Sequence, residues 1–148
     1  MIAVVQRVGK CSVTVDDSVV SRIGRGLLIL LGVHRDDGDD DMKLIVRKCA
    51  GLRIFPDSEG KMNLSLADVK GDVIVVSQFT LFGDVKRGMR PYFGDAAAPD
   101  KGNEYYERFM QLLAAEGFSV QGGVFGAHMD VELLNDGPVT IILDSRNM

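Results

Sequence analysis

Residues 2–8, IAVVQRV, alternate apolar and polar positions as a half-buried strand does, because successive strand side chains point to opposite faces. SVTVD (12–16) and VVSRI (19–23) bracket Asp17 and Ser18 and predict a short hairpin. GLLILLGV (26–33) has no alternation, which suits a central strand buried on both faces. The period then changes. Met42, Ile45, Val46, Cys49 and Leu52 fall on one face of a helix. Asp36, Asp37, Asp39, Asp40 and Asp41 precede them, where acidic side chains cap a helix and favour its positive end. RIFPDSEGKMNLSL (53–66) predicts a short strand, a Pro-Asp turn and an extended return. DVIVVSQFTLF (72–82) is the strongest strand pattern, followed by a long Gly- and Pro-containing loop over 83–102. Residues 103–117 predict a helix that buries Tyr106, Phe109, Met110 and Leu113 and ends at Gly117. FSVQGGVFG (118–126), MDVELLND (129–136) and residues 139–143 predict three more strands. The expected architecture is a β-rich α/β fold: a curved antiparallel or mixed sheet forming a barrel-like core with two packed helices. With neither repeat nor linker in 148 residues, one domain over 1–148 is expected.

Composition narrows the function classes. A hydrophobic content of 46% with 17 Gly and 4 Pro fits a globular chain and not a disordered one. The net charge of −4 argues against coating long nucleic acid through a whole-surface field, so DNA is not an expected partner. It leaves room for a local basic patch that grips one RNA end. Cys11 and Cys49 stand far apart without a CxxC or Cys/His spacing, and both read as core residues. The acidic run lacks the spaced ligands and terminal Glu of a calcium loop. No metal and no cofactor are expected. MIAVVQRV has no basic n-region and is interrupted by Gln6 and Arg7. No run of about 18 apolar residues occurs, so a cytoplasmic protein without a membrane partner is expected.

Conventional catalytic groups are scarce. His34 and His128 are the only histidines, and neither sits in a triad-like pattern. GRG (24–26) lacks the phosphate-loop spacing. Lys86, Arg87, Arg90 and Lys101 lie in the long loop; by composition this is a solvated loop, and it is also equipped to contact phosphates. Two stretches stand out. SQFTLF (77–82) places hydroxyls, an amide and an aromatic ring where an apolar strand stops. Its backbone N–H groups either point at a ligand, as an oxyanion hole requires, or its Ser and Thr satisfy their own backbone. LLNDGPVTIIL (133–143) sets turn formers directly before a strand, with Gly immediately before Pro.

SQFTLF together with NDGPVT (135–140) resembles the D-aminoacyl-tRNA deacylase family. The match extends through MIAVVQRV, GLLILLGV, RIFPDSEGKMN, RGMRPYF and FGAHMDVELLNDGPVT, in order, over nearly the whole chain. The resemblance implies a homodimeric barrel-like fold with its active site at the dimer interface. It implies hydrolysis of the ester joining a D-amino acid to the terminal adenosine of tRNA, and removal of mischarged glycine. Gly137 and Pro138 would form a cis peptide that enters the other subunit's pocket. There its carbonyl oxygens would accept from the substrate α-amino group and fill the space an L side chain needs. Ser77, Gln78, Phe79 and Thr80 would form the catalytic motif, with the Phe79 and Thr80 amides on the scissile carbonyl or its oxyanion. Thr80 is a nucleophile by type but has no visible base; the terminal ribose 2′-hydroxyl is the favoured alternative, assisting attack by water. Phe125 and Met129 match positions lining the adenine pocket. Arg7 would brace the sheet or the motif loop. Lys86, Arg87 and Arg90 are the expected tRNA contacts. Family members often carry Ala where this chain has Gly102. The alternative is a non-catalytic dimeric barrel that binds a small ligand or an RNA 3′ end.

Overall fold

The computed structural model describes residues 1–148. Its organising element is one long strand, β1 (Ile2–Val15), where the hydrophobic pattern predicts two. Gly9 and Lys10 interrupt the burial but not the strand, and the register against its partner strand β8 (Asp130–Asp144) shifts there. β1 serves two apolar clusters, giving Ala3 and Val5 to the larger and Val8, Cys11 and Val13 to the other. Along one edge it pairs antiparallel with β3 (Gly26–Gly32) and then with β2 (Ser18–Ile23). The β1–β2 turn is made by Asp16 and Asp17, both at positive φ, the conformation that short hairpins demand and Asp tolerates. Along its other edge β1 pairs with β8 (Asp130–Asp144).

The remaining pairings of this sheet are parallel. β6 (Asp72–Ser77) lies beside β3, and β7 (Val120–Gly122) beside β6. Parallel neighbours need long crossovers, and the helices supply them. Between β3 and β6 run α1 (Asp39–Gly51), the small pair β4 (Phe55–Pro56) and β5 (Met62–Leu64), and α2 (Leu66–Val69). Between β6 and β7 runs α3 (Pro99–Ala115). The outer strands β2 and β7 then meet through side chains. The Gln121 amide accepts from the Arg22 backbone N–H and donates to its carbonyl, each at 2.9 Å, and the Ser21 hydroxyl donates to the Gly122 carbonyl. The mixed sheet is thus nearly closed into a barrel, with α1 and α3 covering the larger cluster around Phe55 and Phe109.

Several boundaries differ from expectation. The 72–82 strand stops at Ser77, and Phe79–Phe82 form a 3-10 turn. α3 starts at Pro99, four positions before the predicted start, because Pro is accommodated in a first helical turn. The extended return contains a third, short helix, α2, capped reciprocally by Ser65 and Asp68. Of FSVQGGVFG only Val120–Gly122 is strand, and the two strands expected over 129–136 and 139–143 are one. Cys11 and Cys49 are buried; burial pushes their thiols up to about 11 and about 12. No helix is long and apolar enough to cross a membrane.

One polar cluster packs against the 3-10 turn. His34 is buried, with its ring edge-on to Phe82 at 5.4 Å. Its Nδ1 accepts from the Asp36 N–H at 3.0 Å and lies 2.6 Å from the Arg146 guanidinium. Burial first, then Arg146, lowers its pKa below the ordinary value, against the pull of Asp37, Asp36 and Asp95. A histidine held neutral adds stability above its unfolded pKa, about 6.5, and that stability is lost as pH falls through the lower folded pKa. Urea midpoints should therefore fall between pH 7 and pH 5, and His34→Phe should flatten that dependence. An equally steep dependence in the variant would contradict the assignment.

Candidate active site

β6 is buried through Val73, Ile74, Val75 and Val76 and emerges at Ser77. The parallel strands β3 and β6 end here together, the end of a parallel sheet where ligands commonly bind. The last ladder bond runs from the Gln78 N–H to the Leu31 carbonyl, 2.8 Å. The chain then tightens, with Leu81 N–H bonding the Gln78 carbonyl and Gly83 N–H the Thr80 carbonyl. The Phe79 and Thr80 amides open this turn and have no acceptor within it. Gly32 makes the turn possible: a Cβ there would lie 2.9 Å from the Phe82 ring and 3.2 Å from the Gln78 carbonyl.

Beside the turn is a cavity of about 570 Å³, lined among others by Ser77, Gln78, Phe79, Phe93, Phe125 and Met129. Phe79 and Phe93 meet edge to face at 5.1 Å. The opposite wall is the loop after β7, pinned by Tyr106, whose hydroxyl donates to the Val75 carbonyl at 2.8 Å and accepts from the Gly123 N–H at 2.9 Å. Gly102 stands behind Phe125: a Cβ there would meet the ring at 3.4 Å, so alanine fits with ordinary contact. The cavity is therefore mainly apolar and aromatic, with a few polar side chains in its lining, as small-molecule sites commonly are.

The structure brings Ser77, Gln78 and Phe79 together with Phe125 and Met129. Thr80 is exposed and does not line the cavity. Its hydroxyl accepts from the Gln78 side-chain amide, a donor that cannot take its proton. Phe93, Ala96 and Ala97 also line the cavity, and their sequence context, a loop of small and turn-forming residues, gave no sign of it. So does His128, which the sequence pattern left without a partner. Its Nε2 lies 3.4 Å from Asp130, and its side chain is 92% exposed.

Gly137 and Pro138 lie elsewhere. In β8, residues 136–139 bulge opposite Arg7 alone, since Gln6 pairs with Thr140 and Val8 with Asn135. The Gly137–Pro138 peptide is cis, and both residues are exposed. Arg7 Nε donates to the Asp136 carbonyl at 2.8 Å and pairs with its carboxylate at 3.2 Å, while Nη1 donates to the Ile54 carbonyl at 2.7 Å. The Asn135 amide donates to the Arg7 and Val139 carbonyls, each at 3.0 Å. Gly137 has φ +152°, and a Cβ there would lie 2.5 Å from the Val139 nitrogen. The bulge is braced from both shoulders and presents its tip outward. Within one chain it does not line the cavity.

Lys86, Arg87 and Arg90 also lie outside the cavity. They line a separate cleft of about 720 Å³ with Asp84, Tyr92 and Asp95.

The chain has relatives in both sequence and fold. Residues 4–144 match the family model described as D-Tyr-tRNA(Tyr) deacylase. The chain is 55% identical to a D-aminoacyl-tRNA deacylase of Thermotoga petrophila and 57% identical to one of Anaeromyxobacter dehalogenans, in each case over 100% of this chain and 99% of that protein. A solved structure described as a c-Myc DNA unwinding element binding protein superposes with a TM-score of 0.91 at 40% identity, covering 97% of this chain and 98% of that one. A probable eukaryotic D-amino acid tRNA deacylase shares the fold, with a TM-score of 0.78 at 23% identity over 96% and 97% of the two chains. The agreement in length, sequence and fold is that of kin, and the chain belongs to the D-Tyr-tRNA(Tyr) deacylase family.

Proposed function

We propose that this protein hydrolyses the ester between a D-amino acid and the terminal adenosine of tRNA, acting as a homodimer of single-domain chains. The observation that carries the reading is the position of two open backbone amides, those of Phe79 and Thr80, beside a cavity walled by Phe125 and Met129. The terminal adenine fills the apolar end of that cavity. The scissile carbonyl reaches the two amides, which strengthen their hydrogen bonds as negative charge develops on its oxygen. An aminoacyl ester is already activated, so holding it against these donors and beside its own 2′-hydroxyl supplies much of the acceleration. The 2′-hydroxyl assists attack by water, and the ester bond to the ribose breaks to free the amino acid and tRNA.

Selectivity comes from the Gly137–Pro138 bulge of the second subunit. Its carbonyl oxygens accept from the α-ammonium group and occupy the volume of an L side chain, so discrimination works by exclusion. Glycine has nothing to exclude and passes. The outward, braced tip of the bulge suits insertion into a neighbouring chain better than a role in its own cavity. The test is turnover: purified protein should clear many equivalents of D-aminoacyl-tRNA, and a single stoichiometric binding event without release would overturn the reading.

That outcome would favour a second reading, a non-catalytic barrel that binds a nucleic-acid end. The 40%-identical structure described as a c-Myc DNA unwinding element binding protein supports this second reading. Both readings use the basic cleft. With Lys86, Arg87 and Arg90 on phosphates, log affinity for tRNA should fall with log salt, by roughly 0.7 per single-strand phosphate contact. Replacing all three by Gln should reduce that slope by up to about 2. An unchanged slope would mark the loop as solvated surface.

A further inference from the structure

The segment 92–97 separates the nucleoside-sized cavity from the basic cleft, because Phe93, Ala96 and Ala97 face the first while Tyr92 and Asp95 face the second. Tyr92 is held in extended conformation by paired bonds with Asp84, 2.8 and 2.9 Å. Neighbouring residues of an extended chain point to opposite sides, so one dipeptide offers one ring to each compartment. The Tyr92 side is electrically distinct. Lys86, Arg87 and Arg90 form no ion pair with any carboxylate. The two acids of the cleft are already engaged, Asp95 by Arg35 at 3.4 Å and Asp84 by the Lys86 backbone N–H at 2.8 Å. A chain of net charge −4 thus keeps three cations without an ion pair around a tyrosine that is 67% exposed.

We propose that this cleft binds the single-stranded nucleotides that precede the terminal adenosine, with a base stacked on Tyr92 and the intervening phosphates on Lys86, Arg87 and Arg90. An exposed aromatic face beside backbone-tracking cations is how proteins hold single strands without reading sequence. The inference rests on the terminal nucleoside occupying the adjoining cavity, and it names what lies next to it. The cleft adds affinity and register and takes no part in bond breaking.

The experiment compares D-aminoacyl esters of adenosine alone and of a ribotrinucleotide ending in adenosine, with wild-type, Tyr92→Ala and Tyr92→Phe proteins. The wild-type kcat/KM should be at least roughly tenfold higher on the trinucleotide, as the loss of one base–aromatic stack implies. Tyr92→Ala should remove most of that advantage and leave the adenosine ester unaffected, while Tyr92→Phe should keep it. A full trinucleotide advantage in Tyr92→Ala overturns the proposal, as does an equal loss on both esters, which would make the ring part of the cavity wall. If the wild-type protein turns over neither ester, the deacylase reading fails separately. Titration with an unesterified labelled ribotrinucleotide then decides the cleft: binding at least roughly tenfold weaker in Tyr92→Ala supports it, and equal binding overturns it.

Discussion

A substrate whose terminal adenosine lacks the 2′-hydroxyl should react slower by orders of magnitude, whereas Thr80→Ala should keep turnover within roughly tenfold, about 1.4 kcal/mol of barrier. The expectation follows from what surrounds each oxygen. The Thr80 hydroxyl is exposed and already accepts from the Gln78 amide. No histidine, lysine or carboxylate bonds to it, and a hydroxyl without a base is a poor nucleophile. His128 is the only imidazole on the cavity wall and is nearly fully exposed and paired with Asp130, so His128→Ala should also stay within roughly tenfold. Single-turnover rates with matched ribose and deoxyribose substrates check all three. A Thr80→Ala protein that folds and binds tRNA but is inactive would contradict this mechanism, and so would normal turnover of the deoxy substrate.

The second large effect concerns backbone groups of the two motifs. Phe79→Pro deletes one of the two proposed oxyanion donors. It suits the local chain, because Gln78, at φ −142° and ψ 80°, lies outside the helical region that proline disfavours before it, and position 79 opens the 3-10 turn. It should lower kcat by roughly 10²–10³, with Phe79→Ala as the control for loss of the ring. Gly137→Ala adds a Cβ at a φ that side chains rarely adopt and drives it against Val139. It should cost about 1–3 kcal/mol of stability and lower D-aminoacyl-tRNA hydrolysis by roughly 100-fold or more, through displacement of the carbonyls proposed to receive the α-ammonium group. If these motifs meet across a dimer, the two damaged chains complement each other. Mixed, dissociated and reassembled in equal amounts, they should recover about one quarter of wild-type activity, since half the dimers are hybrid and each hybrid has one intact site. No recovery from two folded variants would mean that both motifs of a site come from one chain.

Much of this was legible in the sequence because side-chain periodicity reports burial directly. The unbroken run of β3 reflects its place between β1 and β6, and the stripe Met42, Ile45, Val46 and Cys49 is the buried face of α1. The errors arose where burial and hydrogen bonding part company. Gly9 and Lys10 are exposed, yet β1 continues because β8 supplies partners on both sides of them. Thr80, Leu81 and Phe82 look like strand residues, but the ladder ends at Gln78 and a 3-10 turn takes over. Asn135, Asp136 and Gly137 look like a terminating turn, but a braced bulge holds them inside one strand. The site follows the same rule. The motif residues were identifiable from resemblance, whereas Phe93 and His128 reach the cavity only through the path of two loops, which no local pattern encodes.

The central claim is hydrolysis with selection by hand. Its most direct test uses one tRNA charged separately with a D-amino acid, its L enantiomer and glycine, each incubated with the same preparation of protein at catalytic concentration. The D-aminoacyl and glycyl esters should be cleared over many turnovers while the L ester decays only at its spontaneous rate. Equal hydrolysis of the D and L esters would contradict selection by exclusion, and persistence of the D ester would contradict the activity itself.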